Sequence, residues 1–80
     1  ITSEALERVV PRLFAGKDYG EVFRIKGFVK NGEGQWMELN ATHDSSTLQS
    51  IAVGQDVLIV IGEHLQENKI RELLKEEETR

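Results

Sequence analysis

From Glu21 to Thr42 the apolar residues recur with a period of two, and the run is interrupted once, at Asn31-Gly32-Glu33-Gly34. Such alternation puts successive side chains on opposite faces of a pleated strand. The interruption supplies residues that tolerate positive φ, so the segment reads as a β-hairpin. Along its first strand, Glu21 to Lys30, the spacing predicts Phe23, Ile25 and Val29 on one face and Val22, Arg24, Lys26, Phe28 and Lys30 on the other. Along its second, Gln35 to Thr42, Met37, Leu39 and Ala41 oppose Trp36, Glu38 and Asn40. An isolated hairpin is marginal in water, so the flanking segments must cover one of these faces.

Those segments have the right pattern. Leu6, Val9, Val10, Leu13 and Phe14 form the i, i+3, i+4, i+7, i+8 stripe of an amphipathic helix from Ser3 to Ala15. Thr2 or Ser3 can cap its start, and Gly16 can end it. Pro11 removes the bond to the Glu7 carbonyl, at about 3 kcal/mol in a helix interior, which predicts a kink or two short helices. Leu65, Ile70, Leu73 and Leu74 predict a last helix, with Glu67 four residues ahead of Arg71 in the favourable order and Glu76 to Arg80 as a solvated tail. Val57 to Ile61, within a strand from Asp56 to Gly62, is apolar without a break, as suits a strand covered on both faces or at the centre of a sheet. His43 to Gln55 has no clean period; Leu48, Ile51 and Val53 suggest a short strand or turn packed under the sheet.

The order helix, hairpin, strand, helix predicts an α+β fold: an antiparallel sheet of three to four strands with two helices packed on one face. At 80 residues, the chain is one domain, spanning 1–80. Ten Lys and Arg against 14 Asp and Glu leave a net charge of −4, which argues against nucleic acid as the main partner. No cysteine occurs, which removes thiolate chemistry and suits a reducing, cytoplasmic setting. The apolar run at Val57 to Ile61 is far short of the roughly 20 residues that span a bilayer, so no membrane partner is expected.

Catalytic patterns are missing. The sequence has neither G-x-x-x-x-G-K-[ST] nor G-x-G-x-x-G, the loops that cradle phosphate with backbone N–H groups. Ser45, Ser46 and Ser50 stand near His43 and Asp44, but in a polar loop without the strained turn that displays a nucleophile. His43 and His64, with Asp44 and Glu63 beside them, are too few for a structural metal site of three or four ligands. No catalytic, cofactor or metal residues are therefore expected.

The face of the hairpin turned from the helices is more informative. Arg24, Lys26, Phe28, Trp36, Glu38 and Asn40 project from it together, mixing aromatic and charged groups as protein-binding surfaces do. Two other readings stand beside that one. Phe28 and Trp36 can cover each other as a hairpin pair, or stack on bases of single-stranded RNA. Lys26-Gly27-Phe28 begins the signature of RNA recognition motifs, but Val29 and Lys30 replace the small residue and second aromatic that should follow.

Val22-Phe23-Arg24-Ile25-Lys26-Gly27-Phe28-Val29, then Trp36-Met37-Glu38-Leu39-Asn40-Ala41, then Val57-Leu58-Ile59-Val60-Ile61-Gly62-Glu63 carry a family likeness. In order and spacing they resemble the C-terminal domain of CobW-type proteins, where a hydrophobic-x-R-x-K-G strand precedes a second strand and then one ending in I-G. The likeness runs from about Ser3 to Leu74, and Arg24, Lys26 and Gly27 match its motif. It implies a domain excised from a longer metallochaperone of the kind linked to cobalamin biosynthesis. GTP and a divalent metal would belong to the N-terminal GTPase domain, and none to this piece. The partners implied are that GTPase domain and a client metalloprotein. The function implied is a non-catalytic, accessory role, docking through the open face; a small metal- or ligand-sensing domain using the His43 to Gln55 loop, or a single-stranded RNA module, is the alternative. The family domain begins with a strand before its first helix, so the resemblance also implies a sheet edge left incomplete in this chain.

Overall fold

The computed structural model describes residues 2–16, 18–55 and 57–78; Ile1, Asp56 and the end of the expected tail, Thr79 and Arg80, lie outside them. The elements run α1 (Ser3–Ala15), β1 (Glu21–Lys30), β2 (Trp36–Thr42), β3 (Ser46–Ser50), β4 (Val57–Glu63) and α2 (Glu67–Glu78). The strands form one antiparallel sheet in the order β3-β2-β1-β4. Both helices lie on one face of it. The fold is therefore the α+β arrangement that the periodicities predict.

The core is the space between that face and the helix layer. Leu6, Val9, Val10 and Leu13 of α1 meet Val22, Ile25 and Val29 of β1, Leu39 and Ala41 of β2, and Ile70 and Leu73 of α2. Thr2 caps α1 by accepting a bond from the Ala5 N–H at 3.1 Å. Gly16 ends the helix with extended backbone, donating its N–H to the Arg12 carbonyl at 3.3 Å. Of the two outcomes expected at Pro11, a kink or two short helices, the second does not occur: α1 runs unbroken from Ser3 to Ala15. Pro11 and Glu7 are both exposed, on the side of α1 away from the core. The hairpin turn is closed by Asn31, whose Oδ1 accepts from the N–H groups of Glu33 and Gln35 at 2.9 and 3.0 Å, with Gly34 at φ +80°.

Three expectations are corrected. Phe23 was assigned to the core face and Val22 to the open one, yet Val22 is 2% exposed and Phe23 is 43% exposed. A β-bulge between Val22 and Arg24, where β1 shifts register against β4, inverts the alternation at the strand's start. Next, β4 is neither central nor covered on both faces; it is an edge strand. Finally, the segment from His43 to Gln55 does not tuck under the sheet. Its strand, β3, extends the sheet beside β2, Leu48 alone reaches the core, and Val53 is exposed.

The polar tail is also helical through Glu78, and Glu77 is only 4% exposed. Its carboxylate accepts from Arg8 Nε at 2.7 Å and lies 3.6 Å from Arg12 Nη1, tying the last turn of α2 to α1 across the sequence. The two arginines are about half exposed, at 43% and 49%, and can rehydrate if released. Glu77→Ala should therefore cost about 1–2 kcal/mol, below the toll of a fully buried pair. Urea unfolding measures this, and combining it with Arg8→Ala should cost clearly less than the sum of the two single changes.

Candidate interaction surface

The side of the sheet away from the helices is laid out by the strand register. Arg24 stands between Thr42 and Ile61, Lys26 between Asn40 and Ile59, and Phe28 between Glu38 and Val57, while Lys30 faces Trp36. Gln49 and Thr47 of β3 extend the rows beside Glu38 and Asn40. All six residues that the sequence places on this face, Arg24, Lys26, Phe28, Trp36, Glu38 and Asn40, are thus on it together. Gly27, by contrast, faces the core, where a Cβ would come within 2.8 Å of Leu58 Cδ1. This glycine of the R-x-K-G motif therefore serves packing beneath the sheet and cannot touch a partner on the open face.

Chemically the surface changes across its width. On the β3 side it is polar and internally bonded: Arg24 Nη2 donates to Asn40 Oδ1 at 3.1 Å, Asn40 Nδ2 donates to Glu38 Oε1 at 3.1 Å, and Gln49 Nε2 reaches the same oxygen at 3.5 Å. In the middle, Lys26 Nζ lies 5.7 Å from the centre of the Phe28 ring and Lys30 Nζ lies 5.2 Å from that of Trp36, within cation–π range. On the β4 side it is apolar. Val57, Ile59 and Ile61 are 36%, 44% and 48% exposed, and Phe23 adds its ring beside them.

Sequence reading missed this apolar row because it took an unbroken run of aliphatic residues as a sign of cover on both faces. None of the described ion pairs engages Arg24, Lys26 or Lys30; those pairs join helix residues. Among the described residues the surface thus combines cations that take part in none of these ion pairs with exposed aliphatic groups one strand away.

Trp36 is less available than its position suggests. The loop after β3 folds back over it, with the Ile51 N–H donating to the Trp36 carbonyl at 3.0 Å. Gly54 sits so close that a Cβ there would lie 3.1 Å from Trp36 Cε3. Phe28 and Trp36 are diagonal neighbours, and the ring pair among the described residues is instead Phe14 with His43, edge-on at 4.8 Å. Between Phe28 and the loop residues Val53, Gly54 and Gln55 remains a shallow cleft of about 320 Å³.

The other sequence candidates are dispersed. His43 is held against Phe14 beside a cleft of about 520 Å³ at the end of α1, and His64 lies after β4 with φ +53°. Ser45 closes the β2–β3 turn, its carbonyl accepting from the Thr42 N–H at 2.8 Å, while Ser46 and Ser50 bound β3. No cluster of three or more His, Asp or Glu side chains suited to a metal ion occurs among the described residues. No helix among them is long and apolar enough to cross a membrane.

Comparison with known proteins agrees with the arrangement of strands and motifs. The family model of the cobalamin synthesis protein cobW C-terminal domain matches residues 1–77, almost the whole chain. No curated protein and no solved structure gives a significant match.

If Gly54 holds the loop against Trp36, a larger residue there should lift it. Gly54→Val should shift Trp36 emission to longer wavelength, increase its quenching by acrylamide and cost about 1–3 kcal/mol by overpacking. Gly32→Ala, at a position with open space around it, should leave both spectra unchanged.

Proposed function

The chain belongs to the CobW C-terminal domain family, and on that premise we propose that it is a non-catalytic docking module of a CobW-type GTPase engaged in metal or cofactor delivery. Its open sheet face binds the N-terminal GTPase domain of the same protein, and a client metalloprotein is the second partner of this surface. The observation that carries the reading is the juxtaposition of Arg24 and Lys26 with Ile61 and Ile59, directly opposite them in the β1–β4 ladder. Exposed aliphatic groups gain by burial, and cations outside the described ion pairs complement an acidic surface. A helical layer that closes the core by itself leaves this face free for the task.

The two partners differ in what they would supply. Contact with a GTPase domain makes the face responsive to nucleotide state, because a surface that moves with the γ-phosphate changes what it offers to a neighbour. A client contact instead sets which protein receives the cargo. Neither requires chemistry from this domain: phosphate binding, hydrolysis and metal ligation all belong to the GTPase domain, in keeping with the lack of a phosphate loop here.

Titrating the separately produced GTPase domain of the parent protein into isotope-labelled domain should move the amide signals of Arg24, Lys26, Phe28 and Ile59 and leave those of α1 in place. Lys26→Glu should weaken binding about tenfold and reduce its salt dependence. If saturating GTPase domain moves no signal on the open face, docking through it is wrong.

A further inference from the structure

The open face is charged unequally from end to end. Glu21 and Glu63 stand directly opposite each other in the β1–β4 ladder, and alternation sets both on the side that carries Phe23 and Ile61. Like charges in that position weaken a ladder, and neither carboxylate enters an ion pair among the described residues. Further along β1 the sign reverses, as Arg24, Lys26 and Lys30 follow in turn. The face is therefore negative at one end and positive at the other.

The ladders decide what kind of element can lie on it. β1 is paired on both sides, to β2 and to β4, so its open face has no row of free N–H and C=O groups to offer an incoming chain. Whatever covers it must satisfy its own backbone, which leaves a helix or a sheet. The apolar ground is one strip, formed by Val57, Ile59 and Ile61 with Phe23 beside them, and the β2 side is the bonded polar row of Glu38 and Asn40. A second sheet packs through an inner face that is apolar across several strands. One apolar stripe edged by charge is instead the mark of an amphipathic helix. A strand paired alongside β4 would lie in the plane of the sheet, so the strip is open whatever borders that edge.

At the positive end the strip meets a wall. The loop folded over Trp36 brings Val53, Gly54 and Gln55 up beside Phe28. From Glu21 to Phe28 is about 23 Å at roughly 3.3 Å per residue, the length of a helix of about 15 residues.

We propose that the element received by the open face is one amphipathic α-helix of the GTPase domain, about four turns long, lying along β4 and β1 with its N-terminus over Glu21 and Glu63. This rests on the docking reading and adds to it the kind of element, its polarity and its place. The first turn of a helix carries partial positive charge and free N–H groups, which suit the two facing carboxylates. The reverse direction would set the helix's terminal carbonyls against those carboxylates. Acidic residues four apart on the helix, about 6 Å along its axis, match Arg24 and Lys26, about 7 Å apart along β1. Its apolar stripe then rests on Ile59 and Ile61, and its last turn stops at the loop beside Phe28.

Calorimetric titration of the separately produced GTPase domain into the chain measures the polarity. Changing Glu21→Gln and Glu63→Gln together should weaken binding about threefold or more, because both carboxylates face the positive helix end. A partner that is merely acidic gives the opposite response, since removing two negative charges strengthens its binding. Relief of the facing charges should let this double variant melt no lower than the parent, which separates lost affinity from lost fold. Hydrogen exchange of the GTPase domain, with and without the chain, should show new protection in one helical segment bearing both acidic and aliphatic residues. Unchanged or tighter binding by the double variant overturns the proposed polarity, and protection confined to a strand or loop overturns the helix. Both outcomes leave docking through the face in place, whereas the absence of any binding overturns the two readings together.

Discussion

Burial of the inner row of β1 beneath α1 is the contact on which the remaining structure is assembled. Val22, Ile25 and Val29 of that strand and Leu6, Val9 and Leu13 of the helix are among the least exposed residues of the chain. β1 also carries the two longest ladders, to β2 on one side and β4 on the other. A strand held in this way has its register fixed twice, once by its apolar face and once by its neighbours, and a slip of one residue would put Arg24 or Lys26 into the core. The open face inherits its layout from that constraint. The positions of the cations on it are a by-product of which side of β1 the helix needs.

The bulge at Val22 qualifies this picture. It lets both Val22 and Ile25 point inward although they stand three positions apart along the strand, and Phe23 is thereby expelled. Bulges sharpen twist and commonly sit where a strand re-aims a side chain. Here the re-aimed side chain is an aromatic ring beside an aliphatic row, so the irregularity enlarges the apolar part of the open face.

Much of the fold was legible because it rests on periodicity. The stripe from Leu6 to Phe14, the alternation through Ile25, Val29, Leu39 and Ala41, and the turn at Asn31 to Gly34 each have a local cause that survives folding. What was not legible depends on partners distant in sequence. A bulge leaves no mark in the hydrophobic pattern of its own strand. An apolar run looks the same whether its second face is covered or bare, so Val57 to Ile61 could not announce itself as an edge. The carboxylate of Glu77 reads as one of three consecutive surface acids until Arg8, 69 residues away, is brought to it. On the candidate surface alternation alone places the six residues, whereas the relay from Arg24 through Asn40 to Glu38 and the loop lying over Trp36 depend on side-chain and loop contacts that alternation does not encode.

The unlike character of the two sheet margins has a bearing on stoichiometry. A sheet with two adhesive margins can recruit copies on either side without limit, and such growth is the route to filaments. In this chain β3 presents short, hydroxyl- and amide-bearing cover on one margin, while β4 carries the exposed side chains of Val57, Ile59 and Ile61 on the other. The polar border of β3 therefore gives no purchase for lateral growth of the sheet on its side.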